Sequence, residues 1–101
     1  MSITKYTIYF SEEASAEVEA ATYWYEEQRK GVGSEFMIAL EAVLASVQRS
    51  PMLFPVAHRD VRRARLKRFP YGVFFRIKKD EIEIVSVFHS RRDPARLKSR
   101  L

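Results

Sequence analysis

The sequence predicts an α+β domain: an N-terminal strand, an antiparallel helical hairpin, then three antiparallel strands and a short C-terminal tail, in the order β-α-α-β-β-β. Three observations carry this. Residues 3–10 alternate apolar and polar. Two stretches between residues 12 and 50 repeat their apolar residues at helical spacing. From Val61 onward, runs rich in β-branched and aromatic residues are broken by short polar turns.

In the first strand, Ile3–Phe10, the alternation puts Tyr6, Ile8 and Phe10 on one face and Lys5, Thr7 and Tyr9 on the other. Ser11 stands where an N-cap belongs, and Glu12 and Glu13 follow in the first turn, where the helix dipole favours anions. Ala14, Val18, Ala21 and Tyr25 then form one helical stripe, and Gly31 supplies a left-handed stop, giving a first helix of about Glu12 to Lys30. Ser34 is the expected N-cap of the second helix. Phe36, Leu40, Val43, Leu44 and Val47 repeat along it until Ser50-Pro51 ends the pattern. So short a connection implies an antiparallel pair. Tyr23, Trp24 and Tyr25 are consecutive, so at least one of these rings faces away from the core; the trio reads as packing rather than chemistry.

Pro51-Met-Leu-Phe-Pro55 reads as a loop whose apolar residues tuck under the helices. His58 follows in the loop, without a second histidine or a carboxylate at ligand spacing, so no metal site is expected. Val61–Phe69 reads as a strand with Ala64 and Leu66 on one face and Arg63, Arg65 and Lys67 on the other. The runs Gly72–Ile77 and Ile82–Phe88 flank Lys78-Lys79-Asp80-Glu81 as a hairpin. In the first of these runs, Val73, Phe75 and Ile77 oppose Gly72, Phe74 and Arg76. If the apolar faces meet the helices, the other face carries Arg63, Arg65, Lys67, Phe74 and Arg76, joined by Arg91 and Arg92 after the last strand. Cations around an exposed aromatic suit phosphates and bases, or an acidic peptide strand.

Composition bounds the function. The chain of 101 residues is read as one domain spanning residues 1–101. It has no cysteine, hence no disulfide or thiolate chemistry, and no apolar run of membrane-spanning length. With no signal-peptide pattern at the N-terminus, the expected location is the cytoplasm and no membrane partner is expected. The net charge of +5 is polarised. Residues 1–57 hold four basic and eight acidic side chains, whereas residues 58–101 hold fourteen and five. That asymmetry suggests a helical half and a half that faces a polyanion or a partner. There is no phosphate-cradling glycine loop, no metal-spaced cluster and no nucleophile elbow, and no cofactor is expected.

The stretch Arg68-Phe-Pro-Tyr-Gly-Val-Phe-Phe-Arg76, followed by Ile82-Glu-Ile-Val-Ser-Val-Phe-His-Ser-Arg-Arg-Asp93, resembles the RelE/ParE superfamily of bacterial type II toxins, which includes proteins called plasmid stabilisation proteins. The resemblance extends to the Phe10-Ser-Glu-Glu-Ala opening, the Phe36…Leu40 helix and the Ser50-Pro51 break. It implies a toxin that arrests growth and is held in check by a cognate antitoxin, an acidic or amphipathic segment wrapping the domain. RelE-like members cleave mRNA on the ribosome, and ParE-like members inhibit DNA gyrase. In RelE-like nucleases an arginine directly follows the tyrosine of the third strand; here that slot is Gly72. Arg92 matches the arginine those nucleases carry after the last strand, but the last tyrosine is Tyr71, and the tail after Asp93 lacks the tyrosine or histidine that many also use. The resemblance therefore implies the ParE-like arm, a gyrase inhibitor without bond-making chemistry. The alternatives are a ribosome-dependent endonuclease using Arg76, His89 and Arg92, or a binding module of the same fold without activity.

Overall fold

A computed structural model describes residues 6–91 of the chain. Its elements run β1 (Thr7–Phe10), α1 (Glu12–Gln28), α2 (Val32–Arg49), a 3-10 turn (Pro51–Leu53), β2 (Val56–His58), β3 (Val61–Arg65), β4 (Tyr71–Lys78) and β5 (Glu81–His89). The strands form a single sheet in the order β1-β5-β4-β3-β2, with β1 parallel to β5 and every other pair antiparallel.

Ser11 fixes where the first helix starts. Its hydroxyl oxygen accepts the Ala14 N–H at 3.1 Å, and the same hydroxyl donates to the Val85 carbonyl at 3.1 Å. One side chain thus caps α1 and ties it to the last strand, a cap contribution of about 1 kcal/mol. The helix ends at Gln28, two residues before the expected Lys30. The second helix is capped differently from the expectation. Gly31, at φ +95°, is the N-cap, and Ser34 lies exposed inside the helix. The capping oxygens come from α1: the Glu26 carboxylate accepts the N–H groups of Gly31 and Gly33 at 3.0 Å, which satisfies two orphan donors at the positive end of α2. Gly33 permits this close approach, because a Cβ there would lie 2.9 Å from the Thr22 carbonyl oxygen of α1.

Both helices lay their apolar stripes on one face of the sheet. Ala14, Ala21, Phe36, Leu40 and Val47 are buried against Ala64, Leu66, Val73, Phe75, Ile82, Ile84 and Val87, with Tyr6, Ile8 and Phe10 packed at the edge as their alternation requires. Of the aromatic trio, Tyr25 enters the core, stacking on Phe36 at 5.4 Å, while Tyr23 and Trp24 stay exposed.

Between the pairs Phe74–Ser86 and Phe75–Ile84 the register shifts, with Val85 as the extra residue on β5. The bulge resets the alternation of β5. Ile84 and Val87 both enter the helix-covered core, whereas Val85 joins a cluster on the opposite side. Glu17 of α1 anchors the irregularity, accepting the Val87 N–H at 2.9 Å and the Ser86 hydroxyl at 3.0 Å. Ser86 is fully buried, and this carboxylate is what makes its burial affordable.

The chain departs from the sequence-based expectation at four further points. The first strand is Thr7–Phe10; the expected positions 3–5 lie outside the described residues. β2 is an additional strand, and His58 ends it rather than standing in a loop. The expected strand Val61–Phe69 stops at Arg65, because Arg68 adopts φ +71° and turns the chain. Pro51 and Phe54 tuck inward, whereas Met52 and Leu53 project outward.

Candidate functional site

The face of the sheet away from the helices carries the functional candidates. Val61, Val85 and Phe88 are buried there, with Phe74 packed against them and stacked on Phe88 at 4.9 Å. Beside this cluster a cleft of about 460 Å³ opens, with Ala57 and His58 of β2 and Arg63 and Arg65 of β3 on one wall. Phe69, Pro70, Tyr71, His89 and Ser90 contribute the other wall, and Gly72, Phe74 and Phe88 the floor.

Local structure explains how the cleft is built. The turn 66–70 between β3 and β4 is closed by the Leu66 N–H donating to the Tyr71 carbonyl at 3.0 Å. Its Phe69 ring meets Tyr25 and Phe36 edge-on at 4.9 and 5.4 Å, which anchors that wall to the helical core. Tyr71 meets Phe36 and His89 in the same way at 5.1 and 5.4 Å. Burial raises the Tyr25 phenol above its ordinary value, and the neighbouring Tyr71 adds to the shift. Gly72 lies flat under two neighbours: a Cβ there would sit 3.3 Å from the Phe74 ring and 3.6 Å from the Arg63 stem. The ring and the aliphatic stem thus lie close over the glycine, at or just inside ordinary contact with a Cβ there.

No carboxylate lines this cleft among the described residues, and Arg63 and Arg65 give it positive charge. The Nδ1 of His89 accepts the Arg91 N–H at 3.0 Å, which places the proton of the neutral ring on Nε2. The cleft can therefore hold an anion against aromatic surface. Among the described residues no three His, Cys, Asp or Glu side chains gather as a metal site, and no helix is long and apolar enough to cross a membrane.

The predicted surface is only partly one site. Arg63, Arg65 and Phe74 line the cleft together with His89. Arg76 lies outside it, in a cross-strand pair with Glu83 at 3.5 Å, and Lys78 approaches the same Glu83 oxygen at 3.8 Å. Lys67 sits exposed in the turn after β3, clear of the cleft. Arg91 is exposed just past β5. Arg92 lies outside the described residues. Sequence reasoning missed His58 and Tyr71 as lining residues. The signal for His58 was present in Arg59-Asp60, a polar pair between two β-prone segments, with Arg59 at φ +53°.

A second concavity, of about 1090 Å³, runs between α1 and α2 on the outer side of the helical layer. Val18, Met37 and Leu44 form its base, the exposed Tyr23 and Ile38 flank it, and Glu19, Glu27 and Glu41 also line it.

Comparison with known proteins places this arrangement. The fold is similar to a chain of a chromosomal ParDE toxin–antitoxin system from P. aeruginosa, with 19% identity, a TM-score of 0.64, and coverage of 86% of this chain and 98% of the other. It is also similar to a chain of a RelBE toxin–antitoxin complex from Mycobacterium tuberculosis, with 20% identity, a TM-score of 0.60, and coverage of 84% and 98%. At those identities the likeness shows a shared fold. No curated protein sequence matches the chain. The family model for the ParE toxin of the type II toxin–antitoxin system parDE matches residues 8–94, nearly every element described above. The chain belongs to the ParE toxin family of type II toxin–antitoxin systems.

Proposed function

We propose that this chain is a toxin that arrests growth in the cytoplasm by binding and inhibiting DNA gyrase, and that a cognate antitoxin neutralises it. The observation that carries the choice of target is the state of the positions a nuclease needs. The slot after Tyr71 is Gly72, roofed by Phe74 and the Arg63 stem, and the nearest alternative cation on that strand, Arg76, is paired with Glu83. A cleft with cations and aromatic surface, but without that arginine, is suited to holding a partner's acidic or phosphate groups.

An antitoxin partner is supported by the family and by the two similar folds, both from toxin–antitoxin systems. The groove between α1 and α2 suits an amphipathic helical segment whose flanks are basic, to meet Glu19, Glu27 and Glu41. The cationic cleft suits an acidic segment.

The second reading, a ribosome-dependent endonuclease, draws on His89, which lines the cleft with Arg63 and Arg65 and could exchange a proton there. Inducing the protein in cells without antitoxin, then measuring plasmid superhelicity and transcript ends in the same culture, separates the two. Gyrase inhibition predicts loss of negative supercoiling with unchanged transcript ends. Codon-positioned transcript ends with normal superhelicity assign the endonuclease instead, and unimpaired growth assigns a binding module without toxicity.

A further inference from the structure

Histidine is the side chain that changes charge within the physiological pH range, and both histidines of this chain, His58 of β2 and His89 of β5, line the cleft. The surroundings of His89 decide what an added proton does there. Its ring meets Tyr71 of β4 edge-on at 5.4 Å, and Arg63 and Arg65 of β3 share the cleft with it. Glu17, the carboxylate that α1 sends to β5, is bonded to Ser86 and Val87 and does not line the cleft. Arg68, in the turn before β4, is drawn to Glu35 of α2 at 2.9 Å. Among the described residues no carboxylate stands in the cleft to balance a new positive charge.

The same imidazole holds the chain as it leaves the sheet. Its Nδ1 accepts the Arg91 N–H at 3.0 Å, which closes the turn His89-Ser90-Arg91. A second tie, from the Ser90 N–H to the Pro70 carbonyl at 2.7 Å, does not involve the ring. A proton on Nδ1 turns that acceptor into a donor, so the Arg91 N–H loses its partner while Ser90 keeps its own. The proton also sets a further full charge in the cleft with Arg63 and Arg65, which is unfavourable until an anion enters. Proton and anion therefore favour each other, and linkage makes the effect mutual.

We propose that the cleft takes up a doubly charged oxyanion together with a proton on His89, and that this proton releases Arg91 from the turn after β5. Lowering the pH thus strengthens anion capture, and the bound anion in turn strengthens proton uptake. Arg91 is exposed just past the strand, and once its N–H is released its guanidinium is free to turn toward the anion. No bond to the anion is made or broken: the proton passes from water to Nδ1 and returns to water when the anion leaves. The proposal rests on reading the cleft as an anion-binding surface, and does not depend on gyrase as the target.

The test is a sulfate titration of the full chain, followed by NMR at about pH 5.5 and about pH 8 at fixed ionic strength, since sulfate keeps both charges across that range. Sulfate should shift the amides of Arg63, Arg65 and His89 and bind at least about tenfold more tightly at the lower pH. In that bound state both ring nitrogens of His89 should carry protons, and the Arg91 amide should lose its protection against hydrogen exchange relative to the intrinsic rate at that pH. His89→Gln should abolish the pH dependence, and His58→Gln should preserve most of it; the ring signals of the wild-type protein supply the same answer without a variant. Equal sulfate affinity at the two pH values overturns the proposal and leaves the anion-binding reading of the cleft standing. A pH dependence that survives His89→Gln and vanishes in His58→Gln overturns it as well, as does an Arg91 amide that stays protected in the bound state at low pH. Absence of sulfate binding at either pH overturns the reading of the cleft itself, and the proposal with it.

Discussion

The two faces of the sheet solve opposite problems. The helix-covered face buries nearly everything it presents, and the one fully buried polar side chain among the described residues, Ser86, is matched by Glu17. The other face buries only the small cluster around Val61, Val85 and Phe88, and surrounds it with arginines, histidines and an open cleft. The Val85 bulge lets one strand serve both, by sending Val85 to the second face without taking Ile84 or Val87 from the first. The main buried core and the open cationic cleft thus lie on opposite sides of the same five strands.

Core truncation on the helix face should have the largest effect. Phe36→Ala removes a ring that touches Tyr25, Phe69 and Tyr71, and should cost about 3–5 kcal/mol in denaturant unfolding. Arg63→Gln on the open face should stay within about 0.5 kcal/mol of wild type. Equal losses would erase the division between the faces.

The Glu17 anchor comes next. Glu17→Ala leaves the Ser86 hydroxyl and the Val87 N–H without their acceptor and should cost about 1–3 kcal/mol. Glu17→Gln keeps an acceptor oxygen and should recover most of that loss, which a purely steric role for this residue would not predict.

Two glycines sharpen the contrast further. Gly33→Ala forces a Cβ to 2.9 Å from the Thr22 carbonyl and should cost about 1–3 kcal/mol through separation of the helices. Gly72→Ala meets only the Phe74 ring at 3.3 Å, and the strand gains about 0.5–1 kcal/mol of backbone entropy, so thermal unfolding should shift little.

The smallest effect concerns pH. The Tyr25 phenol has a raised folded-state pKa, so its contribution is fully present below the unfolded value near 10 and is lost as pH rises through the folded value. Unfolding free energy should therefore decline in alkali above about pH 10, and Tyr25→Phe should flatten that decline.

Much of this was legible in the sequence, because the helical stripes and strand alternation are periodic signals that survive in one dimension. Ala14, Val18, Ala21 and Tyr25 face inward as their spacing requires, and Arg63, Arg65 and Phe74 share a face as alternation requires. What was hidden depends on contacts between distant residues. Ser34 resembles a cap by type, but the α2 terminus is capped from α1 by Glu26, five residues before Gly31. Arg76 looked available because nothing in a single strand reveals Glu83 opposite it. The short strand β2 was masked by Pro55 directly before it and by a turn whose arginine carries positive φ.

The proposed function has the cationic cleft bind rather than cut, with gyrase as its target. A supercoiling assay with purified gyrase, comparing the wild-type protein with an Arg63→Gln, Arg65→Gln double variant of unchanged thermal stability, addresses both parts. The account predicts dose-dependent inhibition by the wild type and a loss of at least about tenfold in the variant. Undisturbed supercoiling at saturating wild-type protein would contradict it.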